Sequence, residues 1–399
     1  MGGELPTDRE PPSRLRLLRV HVPLVRPHRS AHGEERVRDV ILVEWTRADG
    51  VSGWGECPTL SDPGYVTGTT EQAWQSLSAQ LAPAALSGGT ALVAGAMAAA
   101  GALADAGLDA GLRAAGASLA AHLGAVRPSV PRCVVLADVG GDLDDLGRRA
   151  RRAVDGGARM VKVKIAPGHD VAPLMAVRAQ VGATRVAADA NGSYRDVAEL
   201  ADVDALGLAY LEQPFAPGST WEELADRHRS LRTPVALDES LTSPDAVRDA
   251  IVARALDIVS VKPARLGGVA AAAAVVGLAA ESGNAAFVGG MLELGVGRAG
   301  AAAVAALAGC SLPTDLGPSG SYVEVDLGDP VVLDPRGDLV VPTGPGNGRP
   351  PRVERLAEVV VDEVVLGRLG ARDGEVRGTV RARAGLSARA RPRCGGPAA

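Results

Sequence analysis

Two lysines, Lys162 and Lys164, stand two residues apart in "ARMVKVKIAPG", a run of Met, Val and Ile that otherwise reads as a buried strand. Three acids close similar apolar runs further along: Asp189 in "VAADAN", Glu212 in "YLEQP" and Asp238 in "ALDES". A third lysine, Lys262, follows in "VSVKPARLGG". Three carboxylates brought together repel one another and raise each other's pKa unless a cation lies between them. Oxygen ligands with no His or Cys beside them suit Mg²⁺ better than zinc, with Mn²⁺ as a substitute. The paired lysines share one strand parity, so both face the same side. Burial and neighbouring positive charge disfavour an ammonium, so Lys164 is expected to be tuned towards a base near neutral pH, with Lys162 as its partner. A cation holding both oxygens of a substrate carboxylate makes the α-proton removable by such a lysine, because it stabilises the dianionic enolate.

Taken singly, each residue has a plainer reading. An acid after a strand often caps the next helix, and a strand lysine can snorkel from an exposed edge. Their succession argues otherwise. Lys164 to Asp189 is 25 residues, Asp189 to Glu212 is 23, Glu212 to Asp238 is 26, and Asp238 to Lys262 is 24. One βα unit of a compact barrel has about that length, since roughly 250 residues make eight units. The spacing predicts one height on five successive strands, at the C-terminal mouth where barrel active sites are built. Lys262, on the sixth strand, then lies across the barrel from Lys164 on the second. Asn191, Glu239 and Arg265 are candidates for substrate binding or support of these groups, Glu239 as a hydrogen-bond partner of Lys262 and Arg265 as a charge that lowers its pKa.

Elements to position these residues are legible along the chain. From Pro131, short runs ("RCVVLAD", "RMVKVKI", "TRVAADA", "LAYLEQP", "PVALDES", "DIVSVKP", "AAFVGGM") alternate with helix-length segments. Repeated βα units demand a parallel sheet. Before them, residues 15 to 56 have the grammar of an antiparallel meander with an "ADG" turn, and 71 to 125 have helical periodicity. The expected organisation is a disordered extension (1–14), an α+β capping domain (15–128), a (β/α)7β TIM-like barrel (129–320), a return completing the cap (321–366) and a basic disordered tail (367–399). The class is α/β.

The motifs in order, "KVK", "DAN", "EQP", "DES" and "KP", resemble those of the enolase superfamily, in its muconate-lactonizing subgroup. "GWGEC" (53–57), "KPARLGG" (262–268) and "GGMLELGVGR" (289–298) are similar to the o-succinylbenzoate synthase and N-succinylamino acid racemase family, and the match runs from about Val22 to about Val365. A lysine base working with Mg²⁺ on an enediolate is that superfamily's known pattern, not a deduction from this chain. The resemblance implies Mg²⁺ on Asp189, Glu212 and Asp238, with Lys164 removing the proton and then assisting departure of hydroxide. Lys162 would polarise the carboxylate. Lys262 would stabilise the enolate in a synthase or act as second acid/base in a racemase. The implied activity is Mg²⁺-dependent syn dehydration of 2-succinyl-6-hydroxy-2,4-cyclohexadiene-1-carboxylate in menaquinone biosynthesis; the alternative is N-acyl amino acid racemisation. Gly289, Gly290 and Met291 are expected to offer backbone donors to a succinyl carboxylate, and the stretches Arg29 to Glu34 and "CPTLSDPGYV" to close over the mouth. "GWGEC" reads as a structural turn. Two departures, "VVLADVGG" after the first strand and "TDLGPSGSYVEVDL" at 314–327, bear on substrate preference rather than on the metal chemistry.

Composition narrows the rest. The chain has 399 residues, 46% of them hydrophobic and 22% charged, and a formal net charge of -5. The positive charge gathers in 367–399, where eight Arg face Asp373 and Glu375. That tail has no aromatic residues, which argues against nucleic acid as a partner. Cys57, Cys133, Cys310 and Cys394 have no CxxC spacing, so free thiols in a reducing cytoplasm are expected. The Ala-rich runs 269–280 and 299–309 are too short to span a bilayer, so no membrane insertion is expected. A small-molecule carboxylate is the expected partner, and a homo-oligomer the expected assembly.

Overall fold

The computed structural model describes residues 10–30, 33–60, 68–137, 141–368 and 376–382. Three N-terminal strands, β1 (Arg14–Ser30), β2 (Gly33–Thr46) and β3 (Ser52–Cys57), form the meander. The β2–β3 turn uses the ADG residues as their chemistry suggests: Asp49 Oδ1 accepts from Val51 N at 3.0 Å and Gly50 takes φ +86°. Alternation then decides two faces. Leu15, Leu17, Ile41, Val43 and Trp45 pack on helices, chiefly the Ala-rich α1 (Met97–Ala114). Leu18, Val20, Val40 and Leu42 pack with Leu294, Val296 and Val323 of the barrel side.

"GWGEC" is strand rather than turn. A Cβ on Gly55 would lie 1.9 Å from Ala102 O, and one on Gly53 2.0 Å from Ala110 N. Helix α1 therefore rests directly on the β3 backbone, which only glycine against alanine permits.

Seven parallel strands follow: β4 (Cys133–Leu136), β5 (Met160–Lys164), β6 (Arg185–Asp189), β7 (Leu211–Glu212), β8 (Val235–Leu237), β9 (Ile258–Val261) and β10 (Ala285–Val288), hydrogen-bonded in that order. Residues 312–315 close the ring. Leu312 N and Asp315 N donate to Ala286 O (3.2 Å) and Val288 O (3.1 Å) of β10. On the other side Thr314 N donates to Pro131 O (2.9 Å) and Cys133 N to Thr314 O (2.7 Å). The fold is thus an α/β (β/α)7β barrel with a separate antiparallel cap.

Helices wrap the barrel where caps and polarity allow. Helix α2 (Leu143–Asp155) buries Leu146 and Ala150 and starts at Asp142; α3 (Val171–Val181) follows. Helix α4 (Trp221–His228) opens with a Thr220/Glu223 capping box and α5 (Pro244–Ala253) with Ser243 before Pro244. Helices α6 (Val269–Glu281) and α7 (Gly295–Ala305) have N-caps, Gly268 and Leu294, whose side chains make no cap hydrogen bond. No helix among the described residues is long and apolar enough to cross a membrane.

The chain returns through 321–359 to β11 (Val360–Arg368), antiparallel to β1. A further strand, β12 (Val376–Ala382), pairs with β11 from Asp362↔Ala382 to Arg368↔Val376. The expectation of a disordered tail from residue 367 therefore does not hold for this segment. Its Val376, Thr379 and Val380 suit a strand, and β12 covers the edge of β11 that β1 leaves open. Residues 1–9 and 383–399, including Cys394, lie outside the described residues.

Candidate active site

Strand parity turns Lys162 and Lys164 of β5 into the lumen while Val161 and Val163 join the outer core. Beneath them lies a buried layer of Cys133, Met160, Ala187, Tyr210, Ala236, Ile258 and Phe287, six of them in strands and Tyr210 immediately before β7. Tyr210 and Phe287 stack at 5.5 Å, and Lys162 Nζ lies 5.1 Å from the Phe287 centroid.

The register shows how the acids reach one mouth. Lys164 pairs with Asp189 and Asp189 with Glu212, but Glu212 pairs with Ala236 and Ala236 with Ile258. Asp238 is thus two residues beyond the Glu212 level along β8, and Lys262 is displaced further again. Tilted strands with a staggered register produce this offset, so equal height in a barrel is not equal ladder position.

Each lysine ends on a carboxylate. Lys162, 1% exposed, donates to Glu212 Oε2 and Asp315 Oδ2. Lys164 Nζ donates to Asp189 Oδ2 at 2.9 Å and Asn191 Oδ1 at 2.6 Å; its side chain is 30% exposed, the most open of the three. Lys262 Nζ donates to Asp238 Oδ2 at 2.6 Å.

Burial works to lower Lys164, but the charge and hydrogen bond of Asp189 outweigh it and raise its pKa. The expected lowering is absent because a carboxylate lies closer to Lys164 than any opposing cation. Lys162 is likewise opposed by burial and yet held well above the ordinary lysine value by Asp315 and Glu212. Burial would lift Asp238, but Arg265 and Lys262 hold it well below the usual carboxylate range. Asp189 is brought down against burial by Lys164 and Lys162. Glu212 is pushed well up by burial; the Lys162 ammonium opposes this, and Asp189, Asp315 and Asp238 add to the rise.

The supporting residues rearrange two expectations. Glu239 Oε1 accepts from Asn191 Nδ2 at 2.8 Å, so Asn191 bridges Lys164 to Glu239. Arg265 Nη1 donates to Asp238 Oδ1 (2.6 Å) and Asp238 O (2.7 Å), and thereby braces the carboxylate that Lys262 holds. The strand-seven glycines also play other parts than expected. Gly289 N is engaged by Val261 O at 2.9 Å and Met291 N by Glu293 Oε1 at 2.8 Å, so neither is a spare donor. A Cβ on Gly289 would stand 2.9 Å from Lys262 Cε, and its absence makes room for that lysine. Gly290 follows, with Leu316 and Glu293 nearest its missing Cβ.

Two residues of this network escape a reading by strand ends. Gln213, at φ +37°, accepts from Asp238 N (2.9 Å) and Ser240 N (3.2 Å) and donates to Phe215 O and Ser240 Oγ (both 2.8 Å). It locks the backbone that carries Asp238; the Q of "EQP" was its signal. Asp315 lies in a segment with no apolar run to announce a strand. Two further steps of 23 to 26 residues beyond Lys262 end at 308 to 314, one short of it.

Among the described residues, no group of three His, Cys, Asp or Glu side chains is arranged to hold a metal ion, because ammonium groups lie on the carboxylates. The donor set nonetheless fits a hard divalent cation. Asp189, Glu212 and Asp238 are buried all-oxygen ligands at the ends of consecutive strands, and Glu212 has the charges of Asp189, Asp315 and Asp238 near it with Lys162 opposing them. Glu239 Oε2 is buried with no hydrogen-bond partner beside them. Of the stretches expected to close over the mouth or line the pocket, residues 31–32, 61–67 and 138–140 lie outside the described residues.

Residues 145–355 match the family described as enolase C-terminal domain-like. An N-succinylamino acid racemase from Amycolatopsis sp is 39% identical over 368 residues, 89% of this chain and 99% of its own. An o-succinylbenzoate synthase from Geobacillus kaustophilus is 34% identical, over 83% of this chain and 91% of its own. A solved structure described as a probable mandelate racemase from Alicyclobacillus acidocaldarius matches with a TM-score of 0.82 and 35% identity, over 89% of this chain and 97% of that one.

Proposed function

Because this chain belongs to the enolase superfamily, we propose that it is an o-succinylbenzoate synthase of menaquinone biosynthesis, dehydrating 2-succinyl-6-hydroxy-2,4-cyclohexadiene-1-carboxylate through an enediolate. The observation that carries this reading is the placement of Lys164 and Lys262 on strands four apart in an eight-membered ring, with Asp189, Glu212 and Asp238 on the strands between. Lys164, open to the mouth, takes the proton α to the carboxylate. The C–H electron pair enters the ring, the C–O bond breaks, and Lys164 returns its proton to the departing hydroxide. Water leaves from the face the proton left, and the ring becomes aromatic. Lys162 supplies fixed positive charge behind Lys164 and towards the substrate carboxylate. Lys262 stabilises the developing negative charge from the far face. Asp189, Glu212 and Asp238 would hold Mg²⁺ or Mn²⁺, whose charge stabilises the enediolate when bound.

A second reading, racemisation of N-succinyl or other N-acyl amino acids, draws support from the same two opposed lysines and from the 39% identity to an N-succinylamino acid racemase. There Lys164 and Lys262 exchange the α-proton between faces. The experiment separating them incubates the protein and Mg²⁺ with each N-succinyl amino acid enantiomer in D₂O, and separately follows dehydration of the cyclohexadiene. Dehydration without deuterium exchange supports the first reading; exchange of both enantiomers supports the second or a dual activity. Turnover that survives Lys164→Ala overturns both.

A further inference from the structure

The segment following β10, Gly289 to Leu294, is gripped from outside the barrel. Arg38 on β2 is 1% exposed and donates to Leu292 O through Nε at 3.0 Å and to Met291 O through Nη2 at 3.4 Å. The same guanidinium reaches Pro58 O at 3.1 Å and Glu35 Oε2 at 3.1 Å within the cap. Glu56 on β3 takes the other end. Its Oε1 accepts from Leu294 N at 2.7 Å and its Oε2 from Gly297 N at 2.8 Å.

Physical chemistry gives each contact a reason. Helix α7 begins at a leucine that cannot cap it, so its first amide donors need acceptors from elsewhere. Glu56 supplies a carboxylate at the positive end of the helix, and Asp326 accepts from Gly295 N at 2.9 Å. Leu292 stands at φ +57°, a left-handed conformation that a leucine rarely adopts unless its surroundings hold it there. Arg38 holds the carbonyl of that residue. A cation on the carbonyls and an anion on the amides, both from cap strands, form a two-ended clamp. The clamped segment starts at Gly289, against the side chain of Lys262.

We infer that Arg38 and Glu56 are positioning residues through which the cap fixes the Gly289–Leu294 segment, and with it the substrate-binding wall beside Lys262. That consequence rests on the function proposed above; the clamp itself does not. Neither residue touches the reacting atoms.

The test compares the full-length protein with Arg38→Met, Arg38→Lys, Glu56→Gln and the shortened Glu56→Asp. Hydrogen exchange of peptides covering residues 289–297, measured without substrate, is expected to quicken about tenfold in Arg38→Met and Glu56→Gln while strands β5 to β9 keep their protection. With the cyclohexadiene or an N-succinyl amino acid, KM is expected to rise about tenfold with kcat within about threefold, and Arg38→Lys to recover part of the loss. Unchanged exchange in all four variants overturns the clamp. Protection lost across the whole barrel assigns a general structural role and also overturns it. A fall in kcat at constant KM overturns the positioning role. If the wild type turns over neither compound, the proposed function fails and the exchange measurement alone decides the clamp.

Discussion

Lys162 and Asp315 form an ion pair that reaches over the first barrel strand, joining the second strand to the segment that closes the ring. Lys162 would otherwise be a buried ammonium with Glu212 alone to balance it. Asp315→Asn keeps the shape and removes that charge. Breaking one of two contacts to a buried cation is expected to cost about 2–3 kcal/mol, short of the larger loss when a buried charge is left wholly unpaired. Urea unfolding measures it, and an unchanged midpoint would contradict the role given to Asp315.

The lysines are separable by variant. Lys164→Ala is expected to lower dehydration by about 10³-fold or more, in the range of a lost general base. Lys262→Ala is expected to lower dehydration less than it lowers deuterium exchange from the opposite enantiomer. Initial rates on both substrates check this, and equal losses in every assay would collapse the distinction.

Metal removal should be decisive and reversible. Chelation is expected to abolish turnover, and Mg²⁺ or Mn²⁺ to restore it. Asp238→Asn is expected to weaken Mg²⁺ binding by about tenfold or more, read by calorimetry in the absence of substrate. Full activity in the presence of chelator would remove the carboxylates from the chemistry.

Glu56 predicts a pH dependence of stability. Burial pushes its pKa up to about 7, with Glu293 and Asp326 adding to the rise while the Gly297 and Leu294 amides oppose it. The folded protein therefore binds this proton more tightly than the unfolded chain does. The contribution is fully present below the ordinary carboxyl range and is lost as pH rises through about 7. Glu56→Gln removes it, so the difference in unfolding free energy between wild type and variant should change between about pH 5 and pH 7 and level off above. A pH-independent difference would show that Glu56 is not held in this way.

The lysines and acids that end the strands were legible because strand parity and a regular βα spacing are local rules. Asn191, Glu239 and Arg265 were legible as neighbours but not as partners. Which carboxylate Arg265 braces, and that Asn191 rather than Lys262 meets Glu239, depend on side-chain directions across separate strands. The raised pKa of Lys164 is hidden from sequence for the same reason, since Asp189, 25 residues away in sequence, is its hydrogen-bond partner in space. "GWGEC" reads from sequence as a structural turn, whereas its glutamate makes the contact between cap and barrel.

What the sequence determined by itself is the periodic part of the molecule: a parallel barrel, the residues at its mouth and the all-oxygen donor set that a hard cation suits. Tertiary structure alone decided the register offset that brings Asp238 level with Glu212, the closing segment that delivers Asp315, and the grip of Arg38 and Glu56 on the segment after the seventh strand. Those depend on ring closure and on packing between chain segments more than 200 residues apart, as with Arg38 and Leu292 at a separation of 254. No local pattern encodes the direction of a side chain across such a gap, because the buried partner that makes an arginine or a glutamate tolerable there is supplied only when the chain folds.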